Sequence, residues 1–120
     1  MDRRRIGSGA EEVAADLLRR TGYRILDRNV RFRFGELDLV CEREGIVVFV
    51  EVKARFGDAR GHPLEAVTLH KQRRLARLAL AYLQRKGLGD RPCRFDVVAV
   101  HLGPQGRPVR AEVLQDAFRL

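Results

Sequence analysis

At 120 residues and 45% hydrophobic content, the chain reads as one globular domain over 1–120, with room for a single core. No apolar run approaches the ~20 residues of a membrane helix, and no predicted helix pairs a Lys/Arg face with a bulky aromatic one, so the competing partner of a basic chain, an anionic membrane surface, is not expected. A net charge of +8 and a pI near 10.7 call for an acidic partner, and nucleic acid heads that class.

Residues 1–6, MDRRRI, form a basic lead-in expected to be mobile until Ile6. A first helix is predicted from near Ser8 to about Thr21, with Ala10, Val13, Ala14, Leu17 and Leu18 on one stripe and Gly22 as its cap. Ser8 to Glu11 fits a capping box, which would explain Glu11 as a helix-start residue. Tyr23 to Arg33 is the first strand and its exit. Arg28, Arg31 and Arg33, interleaved with Phe32 and Phe34, could grip a phosphate backbone.

The segment GELDLVCEREGIVVFVEVKAR, Gly35 to Arg55, carries the densest signal. It reads as strands Glu36–Cys41 and Ile46–Ala54 joined by a four-residue connection, Glu42 to Gly45. Alternation puts Val47, Phe49, Glu51 and Lys53 on one face of the second strand, and Glu36, Asp38 and Val40 on one face of the first. That connection would set Asp38 opposite Phe49 and diagonal to Glu51; a slip of two residues would oppose the acids directly. Converging carboxylates repel, and burial worsens the repulsion. Such a set suits a hard cation, Mg2+ or Mn2+, with Lys53 placed to hold a phosphate or orient a water.

Phe56 to Pro63 is a loop by its glycine, proline and aspartate content. The second helix is predicted from Thr68, its N-cap, to Lys86, with Leu75, Leu78, Ala79, Tyr82 and Leu83 inward and Lys71, Arg74, Arg77 and Arg85 outward. Cys93 to Leu102 is a core strand in which Asp96 is expected to pair with an arginine. Ala111 to Leu114 is an edge strand, followed by a tail whose Phe118 docks on the sheet. Cys41 and Cys93 lack zinc-site spacing and read as buried, reduced thiols of a cytoplasmic protein.

Asp38, a short hairpin, then Glu51-Val52-Lys53 at the end of an apolar strand resembles the core of the PD-(D/E)XK nuclease superfamily. More narrowly, GELDLV and VFVEVKAR, together with GAEEVAADLL, GYRILDRNVR, KQRRLARLALAYL, RFDVVAV and QDAF, are similar to the YraN family of predicted, Holliday-junction-resolvase-like endonucleases. The resemblance implies an α/β, restriction-endonuclease-like core: a central mixed β-sheet flanked by helices in α-β-β-β-α-β order. It implies a Mg2+- or Mn2+-dependent endonuclease acting on DNA, with branched or structured DNA as the resolvase-like substrate. The metal would be held by Asp38, Glu51 and the Val52 carbonyl, with Lys53 catalytic and Glu11 joining from the first helix. Glu36, Gln72 and Lys71 would stand around that site, and Arg28, Arg31, Arg33, Arg55, Lys71 and Arg74 would meet nucleic acid. Such resolvases work as symmetric dimers, which suits a two-fold junction and makes a homodimer one assembly the resemblance allows, although no apolar patch in the sequence demands it. The rival readings are a binding protein that keeps the fold without cutting, and an adaptor whose charge serves solubility.

Overall fold

The computed structural model describes residues 3–56 and 67–118, with side chains from residue 9 onward. The elements are α1 (Arg3–Arg20), β1 (Arg24–Phe32), β2 (Gly35–Arg43), β3 (Ile46–Phe56), α2 (Leu69–Arg85), β4 (Cys93–Leu102) and β5 (Pro108–Phe118). The strands make one mixed sheet in the order β1-β2-β3-β4-β5. Only β3 and β4 run parallel, so a crossover must join them, and α2 lies in that connection. The expected α-β-β-β-α-β order is present, with β5 added at the edge.

Central strand β3 is apolar on both faces because both are covered. Val47 and Phe49 pack beneath Leu75, Leu78, Ala79, Tyr82 and Leu83 of α2. Val48 and Val50 face Ala10, Ala14 and Leu18 of α1. Each of these large side chains contributes about 1.5–3 kcal/mol over its exposed state. The helices therefore clamp opposite faces of the sheet.

Both helices stop where a glycine accepts a left-handed backbone. Gly22 has φ 93°, and Tyr23 N donates to the Leu18 carbonyl at 2.9 Å. Gly87 has φ 68°, and Leu88 N donates to the Leu83 carbonyl at 2.8 Å. At its other end α2 is capped by Thr68, whose hydroxyl accepts from Lys71 N at 3.3 Å.

Three expectations are corrected. Helix α1 starts at Arg3, so Arg3 to Ile6 are helical and Ser8 lies inside the helix, which removes the capping-box account of Glu11. Gly7 and Gly9 each weaken a helix by about 1 kcal/mol, but they do not end it. The β2–β3 connection is the two-residue turn Glu44–Gly45, with φ 53° and 82°. A pair of left-handed residues matches the twist of a hairpin, so Glu42 and Arg43 remain in the strand. The tail after Leu114 is strand: β5 bulges at Asp116 (φ 51°) and continues until Phe118 stacks on Phe95 at 4.6 Å. Phe56 ends β3, while the rest of the expected loop, with His62, lies outside the described residues. Among the described residues no helix is long and apolar enough to cross a membrane.

Candidate active site

The β2–β3 ladder runs from Arg43–Ile46 to Leu39–Val50 and stops there. Strand β3 continues to Phe56, still paired with β4, while β2 continues to Gly35, still paired with β1. The two central strands therefore part at Asp38, which the register would set opposite Glu51. Asp38 Oδ2 accepts the Val52 amide at 2.9 Å, so the carboxylate takes over where the ladder ends. Beside it on β1, Asn29 lies between the pairs Arg28–Leu39 and Val30–Leu37 with φ 52°. Asparagine is among the few residues that tolerate this conformation.

Charge collects around this notch. Glu51 and Lys53 are half-buried and share the α2 face of β3, because Val47 and Phe49 do. Lys53 Nζ lies 3.3 Å from Glu51 Oε1. The Asp38 carboxyl is pushed up to about 7, chiefly by burial and then by the Glu51 charge. Glu11 raises it further, whereas the Val52 hydrogen bond and Lys53 oppose the rise. Lys71, in the first turn of α2, is held below the usual lysine range, first by its contact with Lys53 and then by that ammonium's charge. Oriented to satisfy both ends, the Asn29 amide donates to Glu11 Oε1 and Glu36 Oε1, each at 3.0 Å.

Of the residues singled out in the sequence, Asp38, Glu51, Lys53, Glu11 and Lys71 act on one another electrostatically at the notch. Glu36 reaches it through Asn29 and also pairs with Arg31 at 3.6 Å. Val52 contributes its amide to Asp38. Gln72 donates to the Val67 carbonyl at 3.1 Å. Arg28 is engaged by Glu12 at 2.6 Å. Arg31, Arg33 and Arg74 are exposed, and Arg55 is half-buried.

The oxygen donors of Asp38, Glu51 and Glu11 are of the kind that hard divalent cations prefer. Among the described residues, no three His, Cys, Asp or Glu side chains are gathered tightly enough to hold a metal as they stand. A raised Asp38 pKa among further carboxylates marks a place where positive charge would stabilise the fold.

Two features escaped sequence reasoning. Asn29 is one; a polar residue of low strand propensity in mid-strand was the available signal. The other is the setting of Asp96, which is 1% exposed. It takes Arg94 in two contacts at 3.0 and 3.2 Å, Tyr23 Oη at 2.6 Å and Asp116 N at 2.9 Å. The pairing with arginine was legible; the tyrosine and the bulge amide were not. Every acceptor site used is structural, which accounts for Asp96 without a catalytic role. Both cysteines are free; Cys41 is buried and Cys93 half-buried.

Related proteins match nearly the whole chain. A UPF0102 protein of Symbiobacterium thermophilum is 56% identical over 115 residues, covering 96% of this chain and 97% of that protein. A UPF0102 protein of Moorella thermoacetica is 48% identical over 118 residues, covering 98% of each. One of Syntrophus aciditrophicus is 47% identical over 116 residues, covering 97% of this chain and 90% of that protein. Among solved structures, a chain of "Structure of EndoMS-dsDNA2 complex" superposes with a TM-score of 0.40 at 19% identity, covering 80% of this chain and 36% of that one. With its family model matched over residues 10–100, the chain belongs to the uncharacterised protein family UPF0102, the YraN family that its hairpin motifs resemble.

Proposed function

We propose that this protein is a divalent-metal-dependent endonuclease that hydrolyses phosphodiester bonds in DNA. The observation that carries the reading is the acid-lined notch where β2 leaves β3. There Asp38 is held near pH 7 by burial and by two further carboxylates, with Lys53 alongside. Mg2+ or Mn2+ would be held by Asp38 and Glu51, with Glu11 and the Val52 carbonyl as further oxygen donors. When bound, such an ion lowers the pKa of a water and stabilises charge on a phosphoryl oxygen.

The chain's own groups supply the rest. The Asp38–Val52 hydrogen bond fixes the carboxylate across the gap between the strands. Lys53 and Lys71 bring two ammonium groups together at the α2 end of the notch, where a scissile phosphate would relieve their repulsion. Lys53 would then exchange its contact with Glu51 for that phosphate or the attacking water. Exposed Arg31, Arg33 and Arg74 would hold the flanking backbone. Branched or structured DNA belongs to this reading through the resolvase resemblance, as does a symmetric dimer.

The Lys53–Glu51 ion pair favours a second reading, because it already neutralises one carboxylate. On that reading the protein binds nucleic acid without cutting it. A cleavage assay separates the two, using single-stranded, duplex and four-way-junction DNA with Mg2+, Mn2+ or EDTA. Metal-dependent cutting that is lost in Asp38→Asn and Lys53→Ala, with binding retained, supports the nuclease. Salt-sensitive binding with no cutting in any metal supports the binding protein, and equal cutting by both variants refutes the assigned site.

A further inference from the structure

The β1–β2 hairpin turns on Arg33 and Phe34, with Phe32 paired to Gly35 across its base. Turns of this kind are normally closed by small polar residues. Here the turn holds out a phenylalanine that is 46% exposed. The ring is not adrift: it lies 6.0 Å from Phe32, and the Arg77 guanidinium stands over it at 5.8 Å. The hairpin is locked against α2, since a Cβ on Gly35 would sit 3.1 Å from Leu78 Cδ1 and 3.8 Å from Arg74 Cδ. A half-exposed ring among exposed Arg31, Arg33, Arg74 and Arg77 has the composition of a base-stacking platform on a phosphate track.

The platform connects to the notch. Lys71, Arg74 and Arg77 follow one side of α2 at helical spacing, and Lys71 touches Lys53. From Lys71 to Arg77 the helix advances about 9 Å, the rise of about three nucleotides in a stacked strand. A base paired within a continuous duplex offers a protruding ring no face, whereas an unpaired base does.

We propose that Phe34 stacks on an unpaired base a few nucleotides from the bond held at Lys53 and Lys71, so that the preferred ligand is DNA with a single-stranded segment beside the site. This rests on the nucleic-acid reading above, but not on cleavage. The chain has no tryptophan, so Phe34→Trp places a single fluorescent reporter at the turn. In EDTA, a single-stranded oligonucleotide and a duplex with an overhang should quench that fluorescence, and a blunt duplex of the same length should not. Phe34→Ala should weaken binding of the single-stranded DNA by roughly 5- to 100-fold while changing blunt-duplex affinity less than about twofold. Phe34→Tyr should retain the native preference. Equal quenching by blunt duplex, or equal loss on both ligands, overturns the proposal. So does a change in the DNA-free sedimentation mass of Phe34→Ala, which would assign the ring to a subunit contact. Selective quenching without cutting in any metal would leave this inference standing and remove only the nuclease reading.

Discussion

Replacing Asp38 by asparagine should stabilise the protein in alkaline solution and flatten its pH profile. Native Asp38 titrates at about 7, against 3.8 for the free side chain, because it is buried beside Glu51 and Glu11. A carboxyl whose pKa is raised by folding contributes stability that is fully present below its unfolded value and lost as pH rises through its folded value. Asp38 therefore destabilises the fold progressively from about pH 4 to pH 7 and a little beyond. Three units at about 1.4 kcal/mol each give on the order of 4 kcal/mol in all, of which roughly 2–3 kcal/mol falls between pH 5 and pH 8. Asparagine keeps an oxygen for the Val52 amide and carries no charge, so this loss should vanish. The melting curves of the native and Asp38→Asn proteins, followed by circular dichroism from pH 5 to pH 8 without divalent ions, should diverge by on the order of 10 °C. The variant should be the more stable at pH 8. Parallel profiles would refute the claim that burial, with Glu51 and Glu11 beside it, holds the Asp38 pKa up.

Other positions are expected to respond as follows. Arg94→Ala leaves the buried Asp96 charge without its guanidinium and should cost about 3–5 kcal/mol in urea unfolding; Arg94→Ala combined with Asp96→Asn should recover part of it. Gly35→Ala presses a methyl against Leu78 at a φ of 153° and should destabilise by about 1–3 kcal/mol, with an unchanged urea slope. The Cys41 thiol is pushed up to about 12, first by burial and then by Asp96, so at pH 8 it should resist thiol reagents until the protein unfolds. Rapid labelling of Cys41 in the native protein would contradict its place under α1.

The fold was legible where pattern and burial coincide. The α2 stripe from Leu75 to Leu83 reads at helical spacing, and every residue of it is buried. The apolar run of β3 reads as a buried strand, and Val47 to Val50 are buried in it, whereas Glu51 and Lys53 interrupt the run where burial falls off. Backbone geometry was harder to read. Glu44 in a left-handed turn is not a residue type that signals one, so a four-residue connection misses the register by two residues, and the two-residue slip is the pairing the strands adopt. The divergence of β2 from β3 could not be read at all, because a carboxylate there takes the place of a backbone partner. The buried contacts of Asp96 join residues 73 and 20 positions apart, a separation that no local pattern reports.

The account stands on the notch at Asp38 and Glu51 being a cation site. Mn2+ binding to the metal-free protein, titrated by calorimetry or paramagnetic resonance near pH 7.5, addresses it without reference to substrate. One or two ions should bind the native chain, with affinity reduced about tenfold or more in both Asp38→Asn and Glu51→Gln. Absence of binding, or binding that survives both substitutions, would contradict it.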